Sequence, residues 1–378
     1  MRSQASLPAR RVALVHDWLT GMRGGERTLE AICEVYPEAE RFALLHVPGS
    51  VSSAIVGSGV QTSFLQRFPG VGRYYRALLP LFPTAIEQFD LDEVDLVIST
   101  SHCAAKSVVS PGRARHLCYC FTPMRYAWDQ FDAYFGPERV GTRLSRVLRW
   151  ELSRLARWDA ATATRADRYV AISQYVAGRI RRYYNRNPTV VYPPVDTAYF
   201  QPSGDAPEGY LLIVSALVPY KRVDLAIDAA AAVGMPLRIV GTGPDLPRLQ
   251  RAAGPEVTFL GSLPDAEVRA AYQGAAAVLL PGVEDFGIVP VEAQACGRPV
   301  VALGEGGACE TVADGETGVL VEEMTSEALA DGIARLRARR LDEAAIRRHA
   351  ERFSRPRFQE GLRREVEALM AQPVEVGA

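Results

Sequence analysis

Apolar residues run almost unbroken through RVALVHDWL (11–19), and a helical period follows at 25–35. The first pattern predicts a buried strand and the second an amphipathic helix. Further strands are predicted at ERFALLHV (40–47), DLVISTS (95–101), RHLCYCF (115–121), RYVAIS (168–173) and TVVYPPV (189–195). Helical spacing returns at 143–166 and 174–184. QPSGDAPEG (201–209) interrupts the alternation as a Pro/Gly/acidic linker. It then restarts with YLLIVSAL, a helix at 222–233, PLRIVG, a helix at 244–252, VTFLG, a helix at 264–273, AAAVLLP, a helix at 288–296, PVVAL and GVLV. Residues 326–371 read as charged amphipathic helix broken at Pro356, and residues 1–10 as a disordered tail. Alternating strands and helices predict an α/β fold with parallel, doubly wound sheets. Two halves joined by a linker predict an interdomain cleft faced by strand C-terminal ends, where ligands of open α/β sheets bind.

Composition changes this picture little. A chain of 378 residues is long enough for two cores, and 48% hydrophobic with 23% charged residues is ordinary for a globular protein. The net charge of −1 gives no global field for nucleic acid. Basic charge is nearly all arginine, with only Lys106 and Lys221 as lysines. The six cysteines form no C-x-x-C pair, so neither zinc nor a disulfide framework is expected. MRSQASLPARR lacks the apolar region of a secretory signal, and no stretch reaches the ~18 apolar residues of a membrane span. The expected location is the cytoplasm.

The richest stretch is PGVEDFGIVPVEAQACG (281–297), where Glu284 and Glu292 stand eight positions apart. It reads as strand, Gly-containing loop and helix N-terminus, which suits an anionic ligand because first-turn N–H groups are unpaired. On spacing alone, a plain helix start with an acidic residue near its positive end explains it equally well. SALVPYKRVD (215–224) puts Lys221 and Arg222 after a strand, where two cations suit a diphosphate. GTGPDLPRL (241–249) reads as a structural turn, and EGGACETV (305–312) as a glycine loop whose backbone could border a phosphate or sugar. In the first half, Gly24 and Gly25 precede a helix and could let backbone approach a phosphate, although any αβ turn needs glycine. STSHCAAKSV (99–108) sets His102 and Lys106 at a strand end, and YCFTPMRYAWD (119–129) adds Arg125, Trp128 and Asp129. Of five histidines, His102 is the stronger acid/base candidate and His16 the weaker, while His46 and His116 read as packed. GRYYRALLPLFPTAIEQF (72–89) and VGTRLSRVLRWELSRLARW (140–158) interleave arginines with apolar residues. That pattern fits an anionic membrane surface, or an ordinary surface helix with snorkelling arginines.

Taken together, E-D-F-G-I-V-P-V-E (284–292) resembles the E-x7-E signature of family 4 retaining glycosyltransferases, which have the GT-B fold. SALVPYKRVD, GTGPDLPRL, VTFLGSLPDAEV, the run from AAAVLLPGVEDFG to GVLV, and AISQYVAGRI with VVYPPVDTAYF fall in that family's order. HDWLTGMRGGER, SHCAAK and CFTPMRYAWD resemble a bacterial O-antigen and exopolysaccharide mannosyltransferase subgroup. The resemblance implies an acceptor-side domain over 1–200, a nucleotide-sugar domain over 201–350, and a C-terminal helix over 351–378 crossing back onto the first. It implies that Glu284 contacts donor-sugar hydroxyls and that Phe286, Gly287 and Ile288 offer backbone N–H groups. Glu292 would hold the ribose, Lys221 and Arg222 the diphosphate, and Gly24 and Gly25 would approach the phosphate. His102 is the candidate catalytic residue of the first half, and Lys106 and Arg125 are acceptor-side candidates. Two departures stand out: Ala216 replaces a common arginine, and Phe121 a common sugar-contacting histidine.

The implied reaction moves a hexose, mannose from GDP-mannose foremost, to a lipid-linked or polysaccharide acceptor with retention. It needs neither metal nor cofactor beyond the nucleotide-sugar substrate. Peripheral contact with the anionic inner membrane is expected, and nucleic acid is not. A sugar-nucleotide 2-epimerase of the same fold and a binding protein on a decayed transferase fold are the alternatives.

Overall fold

The computed structural model describes residues 11–339 and 341–372, so the expected tail at 1–10 lies outside the described residues. Two compact units emerge: one of residues 11–172, 176–191 and 359–372, the other of Ser173–Tyr175 and Tyr192–Phe358.

The first unit is a seven-stranded parallel sheet in the order β3-β2-β1-β4-β5-β6-β7. Its strands are β1 (Val12–His16), β2 (Glu40–Ala43), β3 (Val60–Thr62), β4 (Leu96–Ser101), β5 (Arg115–Cys120), β6 (Arg168–Ala171) and β7 (Thr189–Val190). Order reverses between β1 and β4, which pair with His16 opposite Thr100. Every residue of β4 is buried, the polar Ser99, Thr100 and Ser101 as well as the apolar Leu96–Ile98. The edge strand β3 carries no buried residue, so its VQT lacks the apolar signal that marks the others. The helices include α1 (Gly24–Val35), α2 (Thr142–Ala161) and α3 (Gln174–Tyr184).

The second unit is a six-stranded parallel sheet, β10-β9-β8-β11-β12-β13. It comprises β8 (Tyr210–Val214), β9 (Leu237–Val240), β10 (Val257–Gly261), β11 (Ala275–Leu280), β12 (Val300–Leu303) and β13 (Gly318–Val321). Its helices include α4 (Val223–Val233), α5 (Leu246–Ala252), α6 (Asp265–Gly274), α7 (Ile288–Ala295), α8 (Ser326–Arg337) and α9 (Glu343–Ala350). Its order reverses between β8 and β11. Residues 192–200 pack with this unit: Val195 donates its N–H to Phe353, and the Thr197 hydroxyl donates to Glu351. QPSGDAPEG therefore lies inside the second unit rather than at its border.

The charged C-terminal stretch is three helices, not one broken at Pro356. The last is α10 (Arg355–Met370), and Pro356 lies in its first turn. A first-turn proline loses only an N–H that has no helical partner. Leu362, Val366 and Leu369 form its buried stripe. Glu365 holds Arg168 and Thr189 of β6 and β7, and Gln359 Nε2 donates to the Ala31 carbonyl of α1. From Gln359 onward the helix belongs to the first unit.

Candidate active site

In each unit the named residues collect where strand order reverses, the place where open α/β sheets bind ligands. In the second unit the loops after β8 and β11 meet there. A Cβ on Gly282 would lie 2.7 Å from the Tyr220 carbonyl oxygen and 2.9 Å from Lys221 Cα, so only glycine lets these backbones touch. The contact sets Lys221 against Glu284, and the two side chains form an ion pair. They are 14% and 17% exposed, so the pair is shielded but still open to solvent.

The predicted glycine loop at 305–312 braces the acidic motif from behind. Gly307 donates its N–H to the Glu284 carbonyl at 2.7 Å. A Cβ on Gly307 would lie 2.3 Å from Phe286 Cα, again a backbone approach that excludes any side chain. The Phe286 ring is buried, stacked on Tyr192 at 5.8 Å and packed edgewise on Phe353. Phe286 thus anchors the loop, and Gly287, at φ +89°, turns the chain into α7 at Ile288. Pro290 falls in the first turn of α7, where its missing N–H leaves no helical bond unmade. Glu292 follows one turn on and accepts a 2.8 Å hydrogen bond from the Tyr272 hydroxyl. Burial, then the Glu292 charge, pushes the Cys296 thiol up to about 12.

Arg222 does not join Lys221. It caps α4 in the left-handed region at φ +50°, and its guanidinium lies 3.3 Å from both Asp224 oxygens. Ala216 is exposed beside this loop. GTGPDLPRL is a structural turn: a Cβ on Gly243 would lie 2.2 Å from the Leu217 carbonyl oxygen.

In the first unit the ends of β1 and β4 hold a different arrangement. Asp17, one residue past β1, is fully buried. Its Oδ2 accepts the N–H groups of His102 and Cys103 at 2.7 and 2.9 Å, and its Oδ1 those of Ala104 and Ala105 at 2.6 and 2.8 Å. His102 Nδ1 lies 3.0 Å from Oδ2. His16 is buried with Nδ1 2.7 Å from Thr100 Oγ1. Its ring packs edgewise on Phe121, and Trp18 packs edgewise on His102 at 4.4 Å. Burial holds both histidines low, His16 at about 4, against an opposing pull from Asp17. The charge of Arg125, at the first turn of a short helix, also lowers His102. Gly24 and Gly25 open α1 beside this group, and a Cβ on Gly25 would touch His16 and Phe121 at ordinary van der Waals distance.

Lys106 is not an acceptor-side residue. It is 1% exposed, paired with Asp159 at 3.0 Å, and donates to the Asp159 carbonyl at 2.6 Å. Trp128 and Tyr184 donate to the other Asp159 oxygen. A helix begun at His102 would put Lys106, four residues on, on the same face. Instead the Asp17 carboxylate gathers the backbone of 102–105, and a 3₁₀ turn at Ala105–Ser107 sends Lys106 inward. Asp17 itself escaped the sequence reading. Its one signal was an acidic residue directly after an otherwise apolar strand.

The comparisons with known proteins agree with this architecture. Residues 24–199 match the family described as Glycosyltransferase Family 4, and residues 197–353 the one described as Glycosyl transferases group 1. A D-inositol 3-phosphate glycosyltransferase of Rhodococcus erythropolis is 35% identical over 232 residues, 52% of each chain. A GDP-mannose-dependent alpha-(1-6)-phosphatidylinositol monomannoside mannosyltransferase of Mycolicibacterium smegmatis is 34% identical over 204 residues, 46% of this chain and 53% of its own. The chain thus spans about half the length of the curated relatives it matches. In fold it is similar to Anabaena Alr3699/HepE in complex with UDP and glucose, with a TM-score of 0.67 and 19% identity over 95% of this chain and 100% of the other. Two adjoining family matches that jointly span residues 24–353, laid on two parallel doubly wound sheets, support the place of this chain among the family 4 glycosyltransferases of GT-B fold.

Proposed function

We propose that the protein is a retaining glycosyltransferase that moves a hexose, mannose from GDP-mannose foremost, onto a lipid-linked or polysaccharide acceptor in cell-surface glycan synthesis. The observation that carries this reading is the Lys221–Glu284 pair at the β8/β11 reversal, directly before the N-terminus of α7. When a nucleotide-sugar binds, Lys221 turns to the diphosphate and Glu284 is released to the hydroxyls of the sugar. Lys221 and the α7 N-terminus then stabilise charge developing on the leaving diphosphate. Glu292, oriented by Tyr272, holds the ribose hydroxyls. The departing phosphate takes the proton of the incoming hydroxyl, so the reaction needs no metal. His102 lies in the first unit, on the acceptor side of this scheme. Arg222 contributes only if it leaves Asp224.

The named substrates of the relatives support the hexose and the anionic, inositol-containing or lipid-linked acceptor classes. Among the described residues no helix is long and apolar enough to cross a membrane. Contact with a cytoplasmic membrane face would use α2, where Leu144, Val147 and Trp150 are each at least half exposed at three-residue spacing among Arg143, Arg146, Arg149, Arg154 and Arg157. Such a stripe with cationic flanks suits anionic lipid.

The deciding experiment incubates the protein with GDP-mannose and UDP-sugars, with and without a membrane-lipid acceptor. Acceptor-dependent nucleotide release with an α-linked product is expected. Isomerisation without acceptor would point to an epimerase, and no turnover of any donor to a binding protein. Activity that disappears on chelation of divalent ions would refute metal independence.

A further inference from the structure

Both histidines at the β1/β4 reversal have their tautomer set by the neighbour of Nδ1. Asp17, as a carboxylate, can only accept, so His102 Nδ1 must carry the proton at their 3.0 Å contact. The Thr100 hydroxyl points its own proton at the Val15 carbonyl, 3.4 Å away, which leaves its oxygen to accept from His16 Nδ1 at 2.7 Å. Each neutral ring then presents Nε2 as a bare acceptor.

His16 Nε2 is buried and, among the described residues, has no hydrogen-bond partner. A buried acceptor left in that state is costly, and native structures rarely keep one. The two rings are 6.2 Å apart between centroids, and both lie 6.2–6.4 Å from Phe121, which closes the group on one side. Gly25 at the start of α1 lies against the same rings: a Cβ there would be 3.6 Å from Phe121 and 3.7 Å from His16 Cε1, the carbon bonded to Nε2. Asp17 cannot serve an added cation, because each of its oxygens already accepts two backbone N–H groups.

We propose that His16 and His102 form one hydroxyl-binding subsite, in which two Nε2 acceptors take the protons of neighbouring hydroxyls on a sugar ring, with Asp17 as the positioning residue for His102. Two bare acceptors next to an aromatic ring suit hydroxyl donors, which a sugar ring carries on neighbouring carbons. The subsite deepens the transferase reading by assigning sugar-hydroxyl recognition to the first unit. It also accounts for Phe121, which supplies a ring face beside the two imidazoles.

The test is histidine ring-nitrogen NMR on the full-length protein, titrated with methyl α-mannopyranoside. Ring signals are assigned from His16→Asn and His102→Asn, in which the amide N–H replaces Nδ1–H and the Nε2 acceptor is lost. Both residues should show protonated Nδ1 and bare Nε2, and the sugar should shift both Nε2 signals. Either Asn variant should weaken sugar binding about tenfold while keeping the native melting temperature within a few degrees. His102→Gln, which restores a polar atom near Nε2, should recover part of the loss. An Nε2–H tautomer at either residue, or Nε2 signals that the sugar leaves unmoved, overturns the subsite. Nε2 shifts in a protein that turns over no donor would uphold the subsite and refute the transferase reading instead. Turnover with unmoved Nε2 signals does the reverse.

Discussion

The two lysines of this chain make a controlled comparison, one in each unit and each against a carboxylate. Lys106 is sealed in the first unit at 1% exposure, with Asp159, its carbonyl and two hydroxyls around the ammonium. Lys221 stands at strand ends in the second, at 14% exposure, facing Glu284 from an adjoining loop. The first has every donor direction used within its own unit. The second is the pair that the proposed diphosphate would divide. The same contrast runs through the polar residues around them: the first unit spends its carboxylate Asp17 on its own backbone, whereas the second keeps Glu284 and Glu292 on side-chain partners that a ligand can replace.

The comparison is most severely tested by truncating each lysine. Lys106→Ala leaves a buried carboxylate without its cation, which costs about 3–5 kcal/mol of stability. Lys221→Ala removes the partner of a carboxylate that keeps some solvent, so it should cost clearly less than Lys106→Ala. Urea unfolding of the two variants reads the difference directly. Equal losses would mean that Lys221 is as structural as Lys106.

Acid should also fall on the first unit. His16 and His116 are buried there, and burial holds each at about 4 against an ordinary 6.5. Between those values the unfolded chain binds the protons and the folded one does not. Stability is therefore unaffected by these groups above pH 6.5 and is lost as pH falls from 6.5 towards 4, by about 3 kcal/mol for each histidine as a ceiling. Unfolding midpoints at pH 7 and pH 4.5 measure it, and His116→Gln should give a shallower slope. A midpoint that does not move between those pH values would mean that neither ring is held neutral.

Donor affinity reads the second unit. Lys221→Ala should weaken nucleotide-sugar binding ten- to a hundredfold, the loss expected of a hydrogen-bonded charge. Glu292→Ala should cost about tenfold and affect free nucleotide as much as nucleotide-sugar, because the ribose is common to both. Calorimetric titration with GDP and GDP-mannose separates the two. Unchanged affinity for GDP in Glu292→Ala would remove the ribose assignment.

Most of the architecture was legible because it rests on local pattern. Continuous apolar runs mark β11 and β12, buried on both faces, and glycines mark the loops where backbones touch. GVLV coincides with β13 residue for residue. What failed depends on distant contacts, on a single backbone turn or on an exposed edge, none of which periodicity carries. Lys106 follows His102 by four residues at a strand end, but Asp17, 85 residues before His102 in the chain, dictates that turn. Arg222 sits beside Lys221 in sequence, yet its left-handed backbone points it towards Asp224. Val60–Thr62 escaped because an edge strand with no buried residue carries no hydrophobic alternation.

The smallest energetic effect sharpens the comparison from outside. Of nine exposed large hydrophobic residues among those described, eight lie in the first unit and only Tyr175 in the second. Trp150 is the most exposed of them at 58%, with the Arg154 guanidinium 4.9 Å from its ring. Truncating it removes little buried area, so Trp150→Ala should change stability by no more than about 0.5 kcal/mol. Its contact with lipid, if α2 docks on a membrane, is worth far more than its packing, since an indole at the interface buries one face while its N–H stays wet. Sedimentation with vesicles of anionic phospholipid should therefore fall for Trp150→Ala and for Leu144→Ser with Val147→Ser, and should fall for the intact protein as salt is raised. Vesicle binding that ignores both the stripe and the salt would leave these residues as surface without a task, and the two units would then differ only in their interiors.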